Sequence, residues 1–118
     1  MTTGPLAPPP RGVSDDHLWL VVRGDDAPQL VAMTGHRLTV GRDLRSDIVL
    51  DDSKASRHHA EITRDPMGRY VLTDLTSRNG TTIDGRQLVG SLVLVGGELL
   101  RFGRTIVEVL DSEPEGPP

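Results

Sequence analysis

Three features of the sequence predict an all-β fold, either a sandwich or a barrel. Turn signals recur at roughly the eight-to-twelve-residue spacing of such folds. The aromatics are only Trp19, Tyr70 and Phe102, 3% of 118 residues, so the core must be built from Val, Leu and Ile, and the β-branched share favours strands. No stretch sustains the i, i+3, i+4, i+7 apolar pattern of an amphipathic helix. The 13 glycines and 9 prolines in so short a chain point the same way, to many turns and little helix.

The elements follow in order. Met1 to about Asp16 is Thr, Gly, Pro, Ala and Asp around Pro8-Pro9-Pro10, and is expected to be a flexible, partly polyproline arm. Leu18–Val22 is a first strand, closed by Gly24-Asp25-Asp26. Gln29–Met33 is a second, closed by Thr34-Gly35. Arg37–Val40 alternates polar and apolar residues, as a half-buried strand does. Asp47–Leu50 is short and bounded by Asp51-Asp52. His59–Arg64 and Arg69–Asp74 flank the turn Asp65-Pro66-Met67-Gly68 and form a hairpin. Asn79-Gly80 and Asp84-Gly85 are strong turn signals, the latter between Thr82-Ile83 and Arg86–Leu88. Val93-Leu94, Glu98–Phe102 and Thr105–Val109 follow, separated by Gly96-Gly97 and Gly103-Arg104. A second acidic and Pro-rich segment, residues 111–118, is expected to be a flexible tail. This leaves one folded unit over residues 17–110, the size of an ordinary domain.

Composition narrows the function. Net charge is −4, whereas a general nucleic-acid binder carries a basic surplus, so none is expected as partner. That does not rule out a local basic pocket. The absence of cysteine removes disulfides, thiolate chemistry and Cys-ligated zinc, and fits a reducing, cytoplasmic setting. No apolar run approaches a membrane span, and the N-terminus lacks the pattern of a signal peptide.

Catalytic constellations are poor. The histidines are His17, His36, His58 and His59. Neighbours such as His58 and His59 on a strand point to opposite faces, which is bad geometry for sharing a metal. Ser56, His59 and Asp74 could be written down as a triad, but no nucleophile-elbow motif accompanies them. Gly41 and Gly96-Gly97 lack the lysine and helix of a phosphate-binding P-loop. No enzyme, metal or cofactor is expected.

A different chemistry gathers where strands give way to loops. Arg42, Ser56, Arg57, Arg78 and Asn79 fall at three successive strand–loop junctions. Guanidinium forks match a phosphate bidentately, a serine hydroxyl adds a donor, and an Asn amide can grip a peptide group. Singly, each has a bland reading as a solvated arginine or a turn. Together they make the chemistry of one phosphopeptide.

The ensemble Gly41-Arg42, Ser56-x-x-His59-Ala60 and Ser77-Arg78-Asn79-Gly80-Thr81-x-x-Asp84-Gly85 closely resembles the forkhead-associated (FHA) domain. Ser46–Leu50 and Asp74–Ser77 resemble that family's approaches to its second and third recognition loops, and the likeness runs from about Leu18 to Val109. It implies a two-sheet antiparallel β-sandwich of about eleven strands, FHA/SMAD-like, with binding loops at one end. It also implies a module that binds phosphothreonine peptides and does not catalyse. By position, Arg42 and Ser56 look like phosphate contacts, and Arg57 like an adjacent phosphate or peptide contact. Asn79 looks like the holder of the peptide backbone, with Arg78 beside it. Lys54 sits where the family often reads the third residue after the phosphothreonine, so an acidic residue is expected there. Gly41, His59, Gly80 and Thr81 look like structural support of the site.

The expected partner is a phosphothreonine-containing protein or peptide, a Ser/Thr kinase or its substrate, bound by a monomer. The high Gly, Arg and Val usage is compatible with a high-GC bacterium, where such kinases occur. Phosphorylation of Thr2 or Thr3 would let the arm fold back onto the same pocket. The alternative is a phosphorylation-independent scaffold that uses a sandwich face.

Overall fold

The structure, a computed structural model, describes residues 18–24 and 27–114. Among them are eleven strands and no helix. The expected arm, its Thr2 and Thr3, and the proposed start of the domain at residue 17 lie outside the described residues, as does the tail beyond residue 114.

The strands are β1 (Trp19–Arg23), β2 (Gln29–Ala32), β3 (Arg37–Gly41), β4 (Ile48–Val49), β5 (Ala60–Arg64) and β6 (Tyr70–Asp74). They continue with β7 (Thr81–Ile83), β8 (Arg86–Gln87), β9 (Ser91–Leu94), β10 (Leu99–Phe102) and β11 (Thr105–Leu110). Five form a sheet in the order β9-β6-β5-β3-β4. Six form a second sheet in the order β2-β1-β11-β10-β7-β8. The sandwich arises because each strand alternates. Leu38 and Val40 of β3 are buried while Arg37 is exposed, and Thr105, Val107 and Val109 of β11 are buried while Ile106 is exposed. The inward residues close one aliphatic core, with Leu20, Ile62, Leu72, Leu100, Val107 and Val109 essentially without solvent contact. Of the three aromatics, Phe102 is fully buried, and Tyr70 is buried with its hydroxyl donating to the Met33 carbonyl at 3.1 Å.

Two hairpins form as the turn residues require. Asp65 receives the Met67 and Arg69 N–H groups at 2.9 and 2.8 Å, closing β5 on β6. Asp84 and Gly85 take φ values of 52° and 84°, the left-handed pair that a two-residue hairpin needs between β7 and β8.

Three expectations are corrected. The pairing of β3 with β4 is parallel, Val40 opposite Ile48 and Gly41 opposite Val49, while every other pairing among the described residues is antiparallel. A parallel neighbour usually needs a long crossover. Here β4 is only two residues long, so the loop 42–47 brings the chain back far enough. His59, expected at the start of a strand, precedes β5, because its backbone bonds Val40 and Leu75 outside the regular ladder. β9 begins at Ser91 rather than Val93, since Ser91 and Leu92 pair with Thr73 and Leu72.

Two residues lock the loops at one end. Gly41 ends β3 directly beneath the Arg57 carbonyl. A Cβ there would stand 1.9 Å from that oxygen, so only glycine allows the two backbones to meet. Asp52 is buried. Its carboxylate accepts the Lys54 N–H at 2.9 Å, the Arg104 N–H at 2.6 Å and the Thr105 hydroxyl at 2.9 Å, tying the loop after β4 to the other sheet. Burial pushes its pKa up, but these hydrogen bonds outweigh burial and hold it below the ordinary carboxylate value.

Gly41→Ala is expected to destabilise the domain by about 1–3 kcal/mol, the cost of forced backbone movement in a packed site, read from urea midpoints. A carboxyl whose folded pKa is depressed contributes stability above its unfolded value, near 3.9, and loses it as pH falls through the lower folded value. Acid unfolding should therefore set in below about pH 4. Asp52→Asn should lower stability at pH 7 by about 1–3 kcal/mol and flatten the acid limb.

Candidate functional site

The loops after β3, β4 and β6 meet at the end of the sandwich marked by Gly41 and Asp52. They enclose a cleft of about 400 Å³ lined by Arg42, Ser53, Lys54, Ala55, Ser56, Arg57, Arg78 and Asn79. All six residues singled out in the sequence as ligand contacts line it, although 37 positions separate the first from the last.

The bonds that fix the loops to each other each use at least one backbone group. The Arg42 N–H donates to the Ser56 carbonyl at 3.0 Å, and the Asp43 N–H to the Arg57 carbonyl at 3.2 Å. The Arg42 Nε–H donates to the Ala55 carbonyl at 2.6 Å. That bond spends one edge of the guanidinium on positioning and leaves the terminal N–H groups to act as a fork. The Ser56 Oγ accepts the Arg78 N–H at 2.8 Å, so the hydroxyl proton remains for a second acceptor. The Asn79 amide donates to the Lys54 carbonyl at 2.7 Å, joining the second loop to the third.

Beneath the cleft lies His59, with no solvent exposure. Its Nδ1 accepts the Ser56 backbone N–H at 3.0 Å, and its Nε2 is 3.0 Å from the Gly80 carbonyl. A backbone N–H can only donate and a carbonyl only accept. The ring is therefore the neutral tautomer with its proton on Nε2, donating to Gly80. It packs edge-on against Phe102, with centroids 5.4 Å apart and planes at 83°. This geometry disposes of the triad written from the sequence, since His59 meets the Ser56 backbone and not its hydroxyl.

Asp74 anchors the third loop. Its carboxylate accepts the Ser77 N–H at 2.8 Å and the Ser77 and Thr81 hydroxyls at 2.6 Å each. Burial raises its pKa, and the hydrogen bonds from Ser77 and Thr81 more than offset that, holding the group ionised. Thr81 and Gly80 thus support the loop from below. Gly80 lies at φ 81° with the Gln87 amide against the place a Cβ would occupy, 2.1 Å away.

Sequence reasoning passed over three contributors, Asp52, Ser53 and the Ala55 carbonyl. Asp52 had a legible signal, an Asp two residues before Lys54, the spacing of an Asx-turn. Ser53 and a backbone carbonyl have none, because their place depends on how the loop folds. The charge balance of the cleft is one-sided. Arg42, Lys54, Arg57 and Arg78 contribute to it, with no carboxylate among the described residues that line it. The nearby Asp43 carboxylate is engaged by Arg45, whose side-chain and backbone hydrogen bonds bring its pKa down to about 2.

The comparisons agree with this frame. The FHA domain profile matches residues 38–103, more than half of the chain. An oxoglutarate dehydrogenase inhibitor of Corynebacterium diphtheriae is 35% identical over 96 residues, covering 81% of this chain and 64% of that protein. The glycogen accumulation regulator GarA of Mycolicibacterium smegmatis is 35% identical over 91 residues, covering 77% of this chain and 56% of its own. The chain thus spans less than two thirds of either relative. An FHA domain solved in work on phosphothreonine-dependent FHA interactions superposes with a TM-score of 0.72 at 27% identity, covering 84% of this chain and 99% of that domain. With the profile spanning the five-stranded sheet from Leu38, half the strands of the other sheet and all three loops, the chain belongs to the FHA domain family.

Proposed function

We propose that the cleft binds a phosphothreonine in an extended segment of a partner protein, making this domain a reader of sites written by Ser/Thr kinases. The observation that carries this reading is the cluster of four cations on a hydrogen-bonded backbone frame, with no carboxylate among the described lining residues. A phosphorylated threonine brings close to two negative charges and three acceptor oxygens. The free edge of Arg42 and the Ser56 hydroxyl take the phosphate, with Arg57 beside them. Asn79 holds the neighbouring peptide backbone, and Arg78 lies alongside. Lys54 favours an acidic side chain at the third residue after the phosphothreonine. Gly41, His59, Gly80 and Thr81 keep the loops in place.

The site binds and does not catalyse: the imidazole nearest Ser56, that of His59, is engaged by the Ser56 backbone N–H, and the Ser56 hydroxyl oxygen accepts from Arg78. The partner is a kinase or a kinase substrate. The regulatory names of the inhibitor and of GarA support a role in controlling a partner rather than transforming a metabolite. The domain spans residues 17–110, between an arm of 1–16 and a tail of 111–118, and works as a cytoplasmic monomer without a cofactor. Among the described residues no helix is long and apolar enough to cross a membrane.

Calorimetry with a phosphothreonine peptide and its unphosphorylated twin separates this reading from a phosphorylation-independent scaffold, which predicts equal binding. Arg42→Ala should abolish detectable binding with an unchanged circular dichroism spectrum. Ser56→Ala should cost about 1.5–3 kcal/mol, the scale of a charge-assisted hydrogen bond. Tight binding by Arg42→Ala would overturn the assignment. Affinity should fall with added salt, and as pH drops below about 6, where the phosphate gains its second proton.

A further inference from the structure

We propose that the turn between β10 and β11 carries a second anion subsite, made by Arg101 and Arg104. It holds an acidic side chain of the phosphothreonine ligand, separate from the one assigned to Lys54. This rests on the phosphothreonine reading above.

Strand pairing brings the turn to the cleft end. Phe102, the last residue of β10, stands opposite Thr105 of β11 and opposite Thr81, the residue with which β7 leaves the third loop. Gly103 and Arg104 close the hairpin. Gly103 takes φ 64°, and a Cβ there would stand 2.8 Å from the Asp52 carboxylate and 3.0 Å from the Ala55 nitrogen. The turn therefore lies directly against the second loop. Asp52 ties the two together, since one of its oxygens accepts the Lys54 N–H and the other the Arg104 N–H. Lys54 and Arg104 are thus anchored on a single carboxylate, and Lys54 lines the cleft.

The chemistry of the turn repeats that of Arg42. The Arg101 Nε–H donates to the Gly103 carbonyl at 3.2 Å, as the Arg42 Nε–H does to the Ala55 carbonyl. In each case one edge of the guanidinium is spent on backbone, and the terminal N–H groups are left to face an anion. Arg104 is exposed, and its side chain has no hydrogen bond or ion pair among the described residues. Arg101 has no carboxylate partner among them either. By contrast, Arg23, Arg37, Arg45 and Arg69 each have one. Asp52, the carboxylate that the turn touches, is taken up by the two N–H groups and the Thr105 hydroxyl. Two unmatched guanidinium groups at one turn repel each other, and an anion between them removes that cost.

Charge and position name the occupant. The phosphate is held by Arg42 and Ser56, and Arg42 reaches the second loop through the Ala55 carbonyl, while the turn meets that same residue at its nitrogen. The second loop is all that separates the two. Its crossing point is marked by the bond from the Asn79 amide to the Lys54 carbonyl. A peptide that leaves the phosphate past Asn79 and Lys54 continues over the loop toward Arg104. Because Lys54 and Arg104 share one anchor, their two acidic partners fall within a few residues of each other in an extended ligand.

The test uses a degenerate phosphothreonine peptide library with seven randomised residues on each side. It is captured by the wild-type domain, by Lys54→Ala and by the double variant Arg101→Ala, Arg104→Ala. Selection of Asp or Glu is expected at two positions on the same side of the phosphothreonine, one lost in Lys54→Ala and the other in the double variant. A peptide with both acids should bind the double variant about three- to tenfold more weakly than wild type, the scale of two exposed ion pairs. With the second acid replaced by its amide, wild type and double variant should bind equally, which also shows that the variant folds with its cleft intact. A single acidic position, one position erased by both changes, or a second position that persists in the double variant would overturn the proposal. Failure of the wild-type domain to prefer the phosphorylated library would instead overturn the phosphothreonine reading itself.

Discussion

A single neutral imidazole holds the cleft together. His59 bonds the second loop through the Ser56 N–H and the third through the Gly80 carbonyl. Its own backbone N–H reaches the Val40 carbonyl of β3 and its carbonyl receives the Leu75 N–H. Its ring rests on Phe102 of the opposite sheet. Five attachments to four parts of the chain meet at one fully buried residue, and both ring nitrogens are satisfied. A buried polar group with all its partners in place specifies one arrangement, whereas one with a partner missing is costly. Any shift of the second and third loops relative to each other or to β3 would orphan one of these bonds.

That rigidity is what makes the cations useful. The chain as a whole carries −4, so long-range attraction does not gather anions at the surface. The positive charge is concentrated where the backbone frame fixes it, and Arg42 and Asn79 are held by carbonyls of the second loop before any ligand arrives. Side chains already immobilised lose less entropy on binding. Asp52 and Asp74 lie outside the cleft lining and direct their negative charge into backbone and hydroxyl donors. They brace the loops without neutralising the cations.

Much of this was legible in the sequence, for physical reasons. Strand alternation in 37–40 and 105–109 marks which residues face the core, and Asp84-Gly85 states its turn type in two letters. Arg42, Ser56 and Asn79 stand out because their chemistry recurs at strand ends. Less was legible where the answer depends on three dimensions. The parallel pairing of β4 comes from a loop that doubles back, which periodicity cannot show. Ser91 and Leu92 join β9 through pairing with β6, since Gly90 hides the strand's start.

Recognition of the phosphate rests on a preformed cationic cleft. The most direct test is a pair of NMR titrations of the 15N-labelled domain with one peptide, phosphorylated and unphosphorylated. Amide shifts are expected at Arg42, Ser53–Arg57 and Arg78–Gly80 with the phosphopeptide alone. The His59 ring should keep its proton on Nε2 throughout. Equal responses to both peptides, or shifts centred on an outer sheet face, would contradict it.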